Sequence, residues 1–475
     1  MKPDETDTGP DTGGAPATLR RGRTPKAAAT RDRLMEAAVR VFRNMPYTAA
    51  SLRTIQEEGG FNHSLVGYHF KDKSGLFGAV VSGLMAPFLG HLRDSLTRAA
   101  GRPADEEFDL FLADLFEYGF AHPEFLEIVM QNTGEPGVFE NVAQSLKDLQ
   151  AFIFDISGVL DLNERFAGRG REAAMFVLCL ATCLGNLLGT SRFHARILGM
   201  EPQGREYRDW VWEAVRFVFA PAWGEVMSQS GRLRPEPSRD LSPATRLPRK
   251  RAPRERETKG EATKRRIVLA AGRVFSALSY ESSTIRAIGR EARMDFTILH
   301  HYFPSKADLF HAVAAHQLEM NREAAKTWYQ GVETMELKEG LSVFLDRALG
   351  HFFENPESPG LLMKNMGQWD RVEEIGAASY IRKFYADTMG EMLARSEPRA
   401  SAGRVFMWQY IMALLVTHYT GAASNPAAFL GLNPQSPEYR RFIRDALAFV
   451  FYPSFKRIIF GQGAEAGRSG ALAKT

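Results

Sequence analysis

Near the start of the chain apolar residues recur at i, i+3, i+4, i+7 and i+8. Leu34, Ala37, Ala38, Val41 and Phe42 thus make one face of an amphipathic helix. A second short helix is expected to begin at Ser51, whose hydroxyl can take an orphan backbone N–H, and to bury Leu52 and Ile55. Gly59-Gly60 then turns the chain, Phe61 anchors it, and Asn62 stands where it would cap a third helix running through His69. Three short helices with a tight turn between the second and third follow the helix-turn-helix plan, whose last helix enters the DNA major groove. On that helix Val66 points inward.

The pattern occurs twice. Sliding the sequence by 233 residues aligns it with itself without a gap, and residues 30–77 share 15 of 48 identities with residues 263–310. Tyr47 falls on Tyr280, Arg53 on Arg286, Glu58 on Glu291, Phe70 on Phe303, Lys73 on Lys306 and Leu76-Phe77 on Leu309-Phe310. In the second copy Thr284 opens the second helix, Met294 is the anchor, Asp295 the cap and Leu299 the inward residue. Ala292-Arg293 replaces the glycine pair, so that turn either carries about 1 kcal/mol of strain or uses another geometry. The register continues downstream: Asn132 and Gly134 match Asn365 and Gly367. After a one-residue shift, Leu198-Gly199, Tyr207 and Pro221 match Leu430-Gly431, Tyr439 and Pro453. The repeated unit is a two-part protein of roughly 200 residues, not one small domain.

Segments 171–190 and 204–227, with 401–424 and 436–460 in the second copy, read as long apolar-faced helices. Between them and the short helices lie Phe108, Phe111, Phe116, Tyr118, Phe120 and Phe125, and then Trp328, Tyr329, Phe344, Phe352, Phe353 and Trp369. Such a bundle has the lining to hold an apolar or aromatic small molecule, although aromatic stripes at helical spacing are more often core. No individual effector-binding residue is assigned.

Composition alone would argue against nucleic acid, since the net charge is only +4. The charges are segregated, however. Residues 20–33 carry a local +5 and residues 232–259 carry +6, leaving −7 for the rest. The second basic stretch is proline-rich and reads as a linker of about 30 residues, long enough to let both copies pack together. The two cysteines, Cys179 and Cys183, sit four apart on one apolar face and read as packing residues. Neither a metal site nor a cofactor is expected. The N-terminus lacks a basic stretch followed by an apolar core, so no secretory signal is read there. The longest apolar run, Phe176 to Gly189, is shorter than a membrane span, so a cytoplasmic location without membrane association is expected. No phosphate-binding loop, GxSxG elbow or Cys/His nucleophile is present, which argues against an enzyme.

The strings GYHFKDKSGLF (67–77) and HHYFPSKADLF (300–310), each placed after an apolar helix and a turn, resemble the signature of the TetR family of bacterial transcriptional regulators. The resemblance implies an all-α fold in which each copy joins a DNA-binding domain to a larger helical domain for effector binding and dimerisation. Expected boundaries are a disordered arm at 1–26, first DNA-binding domain 27–78, first helical domain 79–228 and linker 229–259. The second DNA-binding domain follows at 260–311, the second helical domain at 312–462 and a tail at 463–475. It also implies an intramolecular pseudo-dimer through the four long helices, with exchange between two chains as the alternative assembly.

Carried over residue by residue, the family pattern and the helix geometry nominate His63, Ser64, Leu65 and Tyr68 as base readers of the first head. Phe296, Thr297, Ile298 and His301 form the second set. Ser51, His69, Lys73, Thr284, Tyr302 and Lys306 are nominated for phosphate contacts, and Arg20, Arg21, Arg23, Lys26, Arg249, Lys250 and Arg251 as basic arms. Gly67 and His300 stand where the family usually has tyrosine, which implies one missing contact in the first head. The expected function is a sequence-specific regulator, a repressor released by a small-molecule effector, reading two unlike half-sites of double-stranded operator DNA. The alternative is an architectural DNA-binding protein without a working effector pocket.

Overall fold

The computed structural model of the 475-residue chain describes residues 25–62, 64–133, 170–227, 258–368 and 400–461, with short pieces at 379–380, 382–383 and 386–387. Arg20, Arg21, Arg23, His63, Arg249, Lys250, Arg251 and Trp369, with nearly all of the expected linker and the tail, lie outside these residues. Among the described residues there are eighteen α-helices and no strand.

The first half comprises α1 (Pro25–Asn44), α2 (Leu52–Gly59), α3 (Ser64–Phe70), α4 (Lys73–Ala99), α5 (Ala104–Ala121), α6 (Glu124–Asn132), α7 (Gly170–Gly189), α8 (Ser191–Leu198) and α9 (Arg205–Met227). The second comprises α10 (Lys259–Ala277), α11 (Ile285–Ala292), α12 (Phe296–Tyr302), α13 (Lys306–Trp328), α14 (Leu337–Glu354), α15 (Glu357–Asn365), α16 (Ala402–Gly421), α17 (Ser424–Phe429) and α18 (Pro437–Phe460). Lys26, grouped above with the basic arm, already belongs to α1.

The apolar stripes form the cores as their spacing requires: Leu34, Ala37, Ala38, Phe42, Ile267, Ala270, Ala271 and Phe275 are all fully buried. Internal contacts repeat along with the sequence. The Tyr207 hydroxyl donates to the Leu187 carbonyl at 2.6 Å, and Tyr439 donates to the Tyr419 carbonyl at 2.9 Å. Gly189 and Gly421 make the crossings beneath them possible, because a Cβ at either would lie 2.5 Å from a carbonyl oxygen, that of Leu126 or Pro359. Replacing either glycine by any larger residue drives α7 off α6, or α16 off α15.

The two halves join through a four-helix interface in which α7 and α9 pack against α16 and α18. Asn186 and His418 occupy equivalent positions in the repeat and meet there, the Asn186 amide 3.0 Å from His418 Nδ1, which puts a pseudo-twofold axis between the halves. Cys179 and Cys183 are buried in this region. Burial pushes the Cys179 thiol up to about 12 and holds that of Cys183 well above its ordinary value, so both stay protonated packing groups. Two helices, Lys73–Ala99 and Arg171–Gly189, are long and apolar enough to cross a membrane by length and composition alone, more than the short run at Phe176 suggests. For the second, 72% of that apolar window is buried inside the protein, where it supplies the interface between the halves; for the first the share is 33%.

Candidate nucleic-acid interface

Each head is a helix-turn-helix whose turn is set by one backbone conformation. Gly60 closes α2 with φ of 66° and Arg293 closes α11 with φ of 53°, so both turns are left-handed. Of the two readings left open by the sequence, the strained turn with unchanged geometry is the one found; a non-glycine residue pays about 1–2 kcal/mol there. The neighbouring exchange is compensated. A Cβ at Gly59 would meet the Phe61 ring at 1.9 Å, whereas the second head carries Ala292 with the slimmer Met294 opposite.

Caps start the helices where expected. Ser51 Oγ accepts from the Thr54 N–H at 3.0 Å and Thr284 Oγ1 from the Ala287 N–H at 3.1 Å. Asp295 accepts from the Thr297 N–H at 2.8 Å, a bond that holds its carboxyl below the ordinary range. Val66 and Leu299 are buried beneath α3 and α12, and Phe70, Phe303, Leu76 and Phe77 fill the core as expected.

The outward faces are unlike. In the first head Tyr68 is 78% exposed, while Leu65 is half-buried and packs partly against the core. Of Ser64 only the backbone, at the first position of α3, is described. In the second head Phe296, Thr297, Ile298 and His301 are all exposed. His300 stacks edge-on against Phe296 with ring centroids 4.3 Å apart and places Nδ1 3.2 Å from the Pro304 carbonyl, which fixes the Phe296 ring. The half-buried Tyr302 sets its hydroxyl beside the start of α10, 3.8 Å from where a Cβ on Gly260 would stand. His69 is half-buried and stacks edge-on against Tyr68 at 4.8 Å.

Two residues nominated for phosphate contacts, Lys73 and Lys306, are also engaged within their own heads. Lys73 Nζ donates to the carbonyls of Tyr47 and Ala50, both at 2.9 Å, and lies over the Tyr47 ring at 4.2 Å. Lys306 Nζ donates to Tyr280 and Ser283 at 2.8 and 3.3 Å, again 4.2 Å over a tyrosine ring. Burial pulls the Lys73 ammonium below its ordinary value, and the half-buried group gives two of its three N–H donors to the loop. From the other side, buried Asn132 Oδ1 accepts the Tyr47 N–H at 2.8 Å, and Asn365 Oδ1 accepts the Tyr280 N–H at 2.8 Å. Each head is therefore clamped to its body at one loop, by a lysine from the long helix after the recognition helix and by an asparagine from α6 or α15. The role of these asparagines was not read from the sequence, although their identity in both copies was its signal.

The heads also differ in charge. Residues 52–60 hold one arginine against two glutamates, whereas residues 285–293 hold three arginines against one glutamate. Arg53 is paired with Glu57 at 2.8 Å, and the equivalent of Glu57 is Arg290. Between the heads lies an open cleft of about 1010 Å³ lined by Arg40, Arg43, Arg192 and Glu281. No group of three or more His, Cys, Asp or Glu side chains placed to hold a metal ion occurs among the described residues.

Two capped helix-turn-helix units carried on one duplicated helical body define the class. The family described as "Bacterial regulatory proteins, tetR family" matches the chain twice, at residues 34–80 and 267–313, so both halves carry the TetR DNA-binding domain and the chain is a tandem duplication. The HTH-type transcriptional repressor NicS of Pseudomonas putida is 26% identical over 127 residues, which is 27% of this chain and 59% of that protein. The chain therefore spans less than two thirds of that relative. GusR of Salmonella enterica aligns over 42% of this chain and all of its own, at 17% identity and a TM-score of 0.30. A TetR-family chain from Mesorhizobium loti aligns over 41% of this chain and 97% of its own, at 18% identity and a TM-score of 0.29. The fold stands on the helices described above and not on these two alignments.

Proposed function

We propose that the protein is a sequence-specific, cytoplasmic regulator of transcription, a repressor that holds two unlike half-sites of operator DNA in one chain. The observation that carries this reading is the pair of recognition helices: the same capped scaffold presents Tyr68 in one head and Phe296, Thr297, Ile298 and His301 in the other. Apolar side chains on a reading helix suit thymine methyl groups, and histidine suits hydrogen-bonding base edges. The more basic α11 supplies phosphate contacts beyond those of α2, with Ser51, Thr284, His69 and Tyr302 flanking the reading helices.

Release by a small molecule is supported in the second half. There a cavity of about 50 Å³ is lined by Trp328, Tyr329, Phe344, Phe352 and Gln409. Both polar atoms of the Gln409 amide are buried, and neither makes a hydrogen bond among the described residues. An apolar ligand with one polar group would satisfy that amide. The space admits only a small group, so a larger effector has to open it. In the first half the equivalent of Gln409 is Val177, and Phe108 and Phe116 are packed into the core. An opening bundle would act on its head through the asparagine clamp and change the spacing of the heads across their cleft.

Replacing Phe296 and Ile298 together by alanine tests the reading. The expected result is relaxed sequence preference at one half-site, with the other unchanged. Equal loss on every sequence, together with collapse of the specificity ratio at physiological salt, would instead mark an architectural binder held by phosphate contacts alone.

A further inference from the structure

We propose that the interface between the halves is built for unlike partners, so that a first half pairs with a second half in preference to another copy of itself. The inference does not rest on DNA binding. It comes from where hydrogen bonds cross the pseudo-twofold axis and where they do not.

Two hydroxyls of α16 are spent on the first half. Tyr410 and His194 share a bond of 2.7 Å, and both side chains are fully buried. Tyr419, also fully buried, donates to Thr182 Oγ1 at 3.2 Å. Each of these four residues has a counterpart in the other copy at an offset of 232 residues. Tyr410 corresponds to Leu178, His194 to Pro426, Tyr419 to Leu187 and Thr182 to Leu414. All four counterparts are without hydrogen-bonding side chains. Polar residues therefore face polar ones on one side of the axis, and the related positions on the other side are apolar against apolar.

Like pairing destroys this match. Two first halves would set His194 against Leu178 and Thr182 against Leu187, twice each by symmetry. His194 Nε2 makes no hydrogen bond among the described residues, so the ring would be buried with neither nitrogen paired across the interface. Two second halves would set the Tyr410 hydroxyl against Pro426 and the Tyr419 hydroxyl against Leu414. A buried donor or acceptor without its partner is costly, which is how an interface rejects a wrong partner. The rim pairs point the same way. Arg171 meets Asp445 at 3.0 Å, and the counterpart of Arg171 is Gly403, so two second halves would lose this pair. Arg404 lies 4.0 Å from Glu213, and the counterpart of Arg404 is Glu172, so two first halves would set acid against acid there.

The consequence is closure. A fused chain whose halves still paired with their own kind could satisfy them only with other chains, as a two-chain dimer or an open-ended string. Halves that prefer each other satisfy the interface within one 53.1 kDa chain.

The test uses the whole chain with a protease site placed in linker residues 229–257, cut after folding. Cut protein is then incubated to allow exchange, and native mass spectrometry identifies which halves are paired. First-with-second pairs are expected to outnumber like pairs by about tenfold or more. Random sorting, in which about half of all pairs are alike, would overturn the proposal. The double variant Tyr410→Phe with Tyr419→Phe removes both hydroxyls and keeps the rings. Its preference for unlike pairs is expected to fall by about tenfold, and a preference equal to that of the unmodified chain would remove these hydroxyls as its cause.

Discussion

The two heads share their frame and differ in nearly everything they show to the outside. In both, an arginine of the first helix pairs with a glutamate of the second: Arg40 with Glu58 at 2.7 Å, and Arg273 with Glu291 at 2.6 Å. In both, a lysine and a buried asparagine clamp the loop before the second helix at nearly the same distances. The exposed positions diverge, with Tyr68 opposite His301 and Glu57 opposite Arg290. The clamps, the arginine–glutamate pair and the apolar character of the core are the same in both heads, whereas the exposed side chains of the reading helices differ. That is the pattern expected of two heads that read different sequences from one scaffold.

The most severe perturbation of this relationship is Phe275→Ala. It empties the core of the second head alone and is expected to cost about 3–5 kcal/mol. Footprinting should then lose protection over one half-site and keep the other; loss of both would mean that the heads do not fold independently.

Acid is expected to act next, and on the interface in place of the heads. Burial holds His194 at about 3 and His418 at about 4, against 6.5 for an exposed imidazole. Below pH 6.5 the unfolded chain takes up protons that these folded sites refuse. Stability is therefore complete above 6.5, declines as pH falls below 6.5, and stops declining for His418 below about 4 and for His194 below about 3. Near pH 5 the loss is about 2 kcal/mol for each histidine. Thermal melts between neutral pH and about 5 check it, with His418→Asn expected to flatten part of the slope.

Smaller effects compare the clamps and the turns. Asn132→Ala and Asn365→Ala each leave a loop N–H unpaired and should cost about 1–3 kcal/mol by calorimetry, alike in both halves. Arg293→Gly relieves the left-handed residue and should stabilise the second head by up to about 1 kcal/mol, whereas Gly60→Ala should destabilise the first by a similar amount.

Much of this architecture is legible in the sequence, because a repeat and an apolar stripe are local signals. The offset of 233 fixes two copies, and the apolar runs place all four interface helices close to their observed bounds. What escapes the sequence depends on partners far along the chain. Lys73 reads as a phosphate ligand because it follows a recognition helix, and nothing near it in sequence shows that it also donates to the carbonyls of Tyr47 and Ala50. The bond from Tyr410 to His194 spans 216 positions and exists only once two helices from different halves are set in register. Leu65 is nominated as a base reader by its place near the start of the recognition helix, and its partial packing on the core is set by helices elsewhere in the chain.

Selecting DNA sites from a random pool with the intact chain tests most directly whether one protein reads two different half-sites. The expected consensus is asymmetric: two unlike half-sites about one helical turn or more apart, the one assigned to the second head by its loss on Phe296 and Ile298 replacement. A perfect palindrome would contradict it.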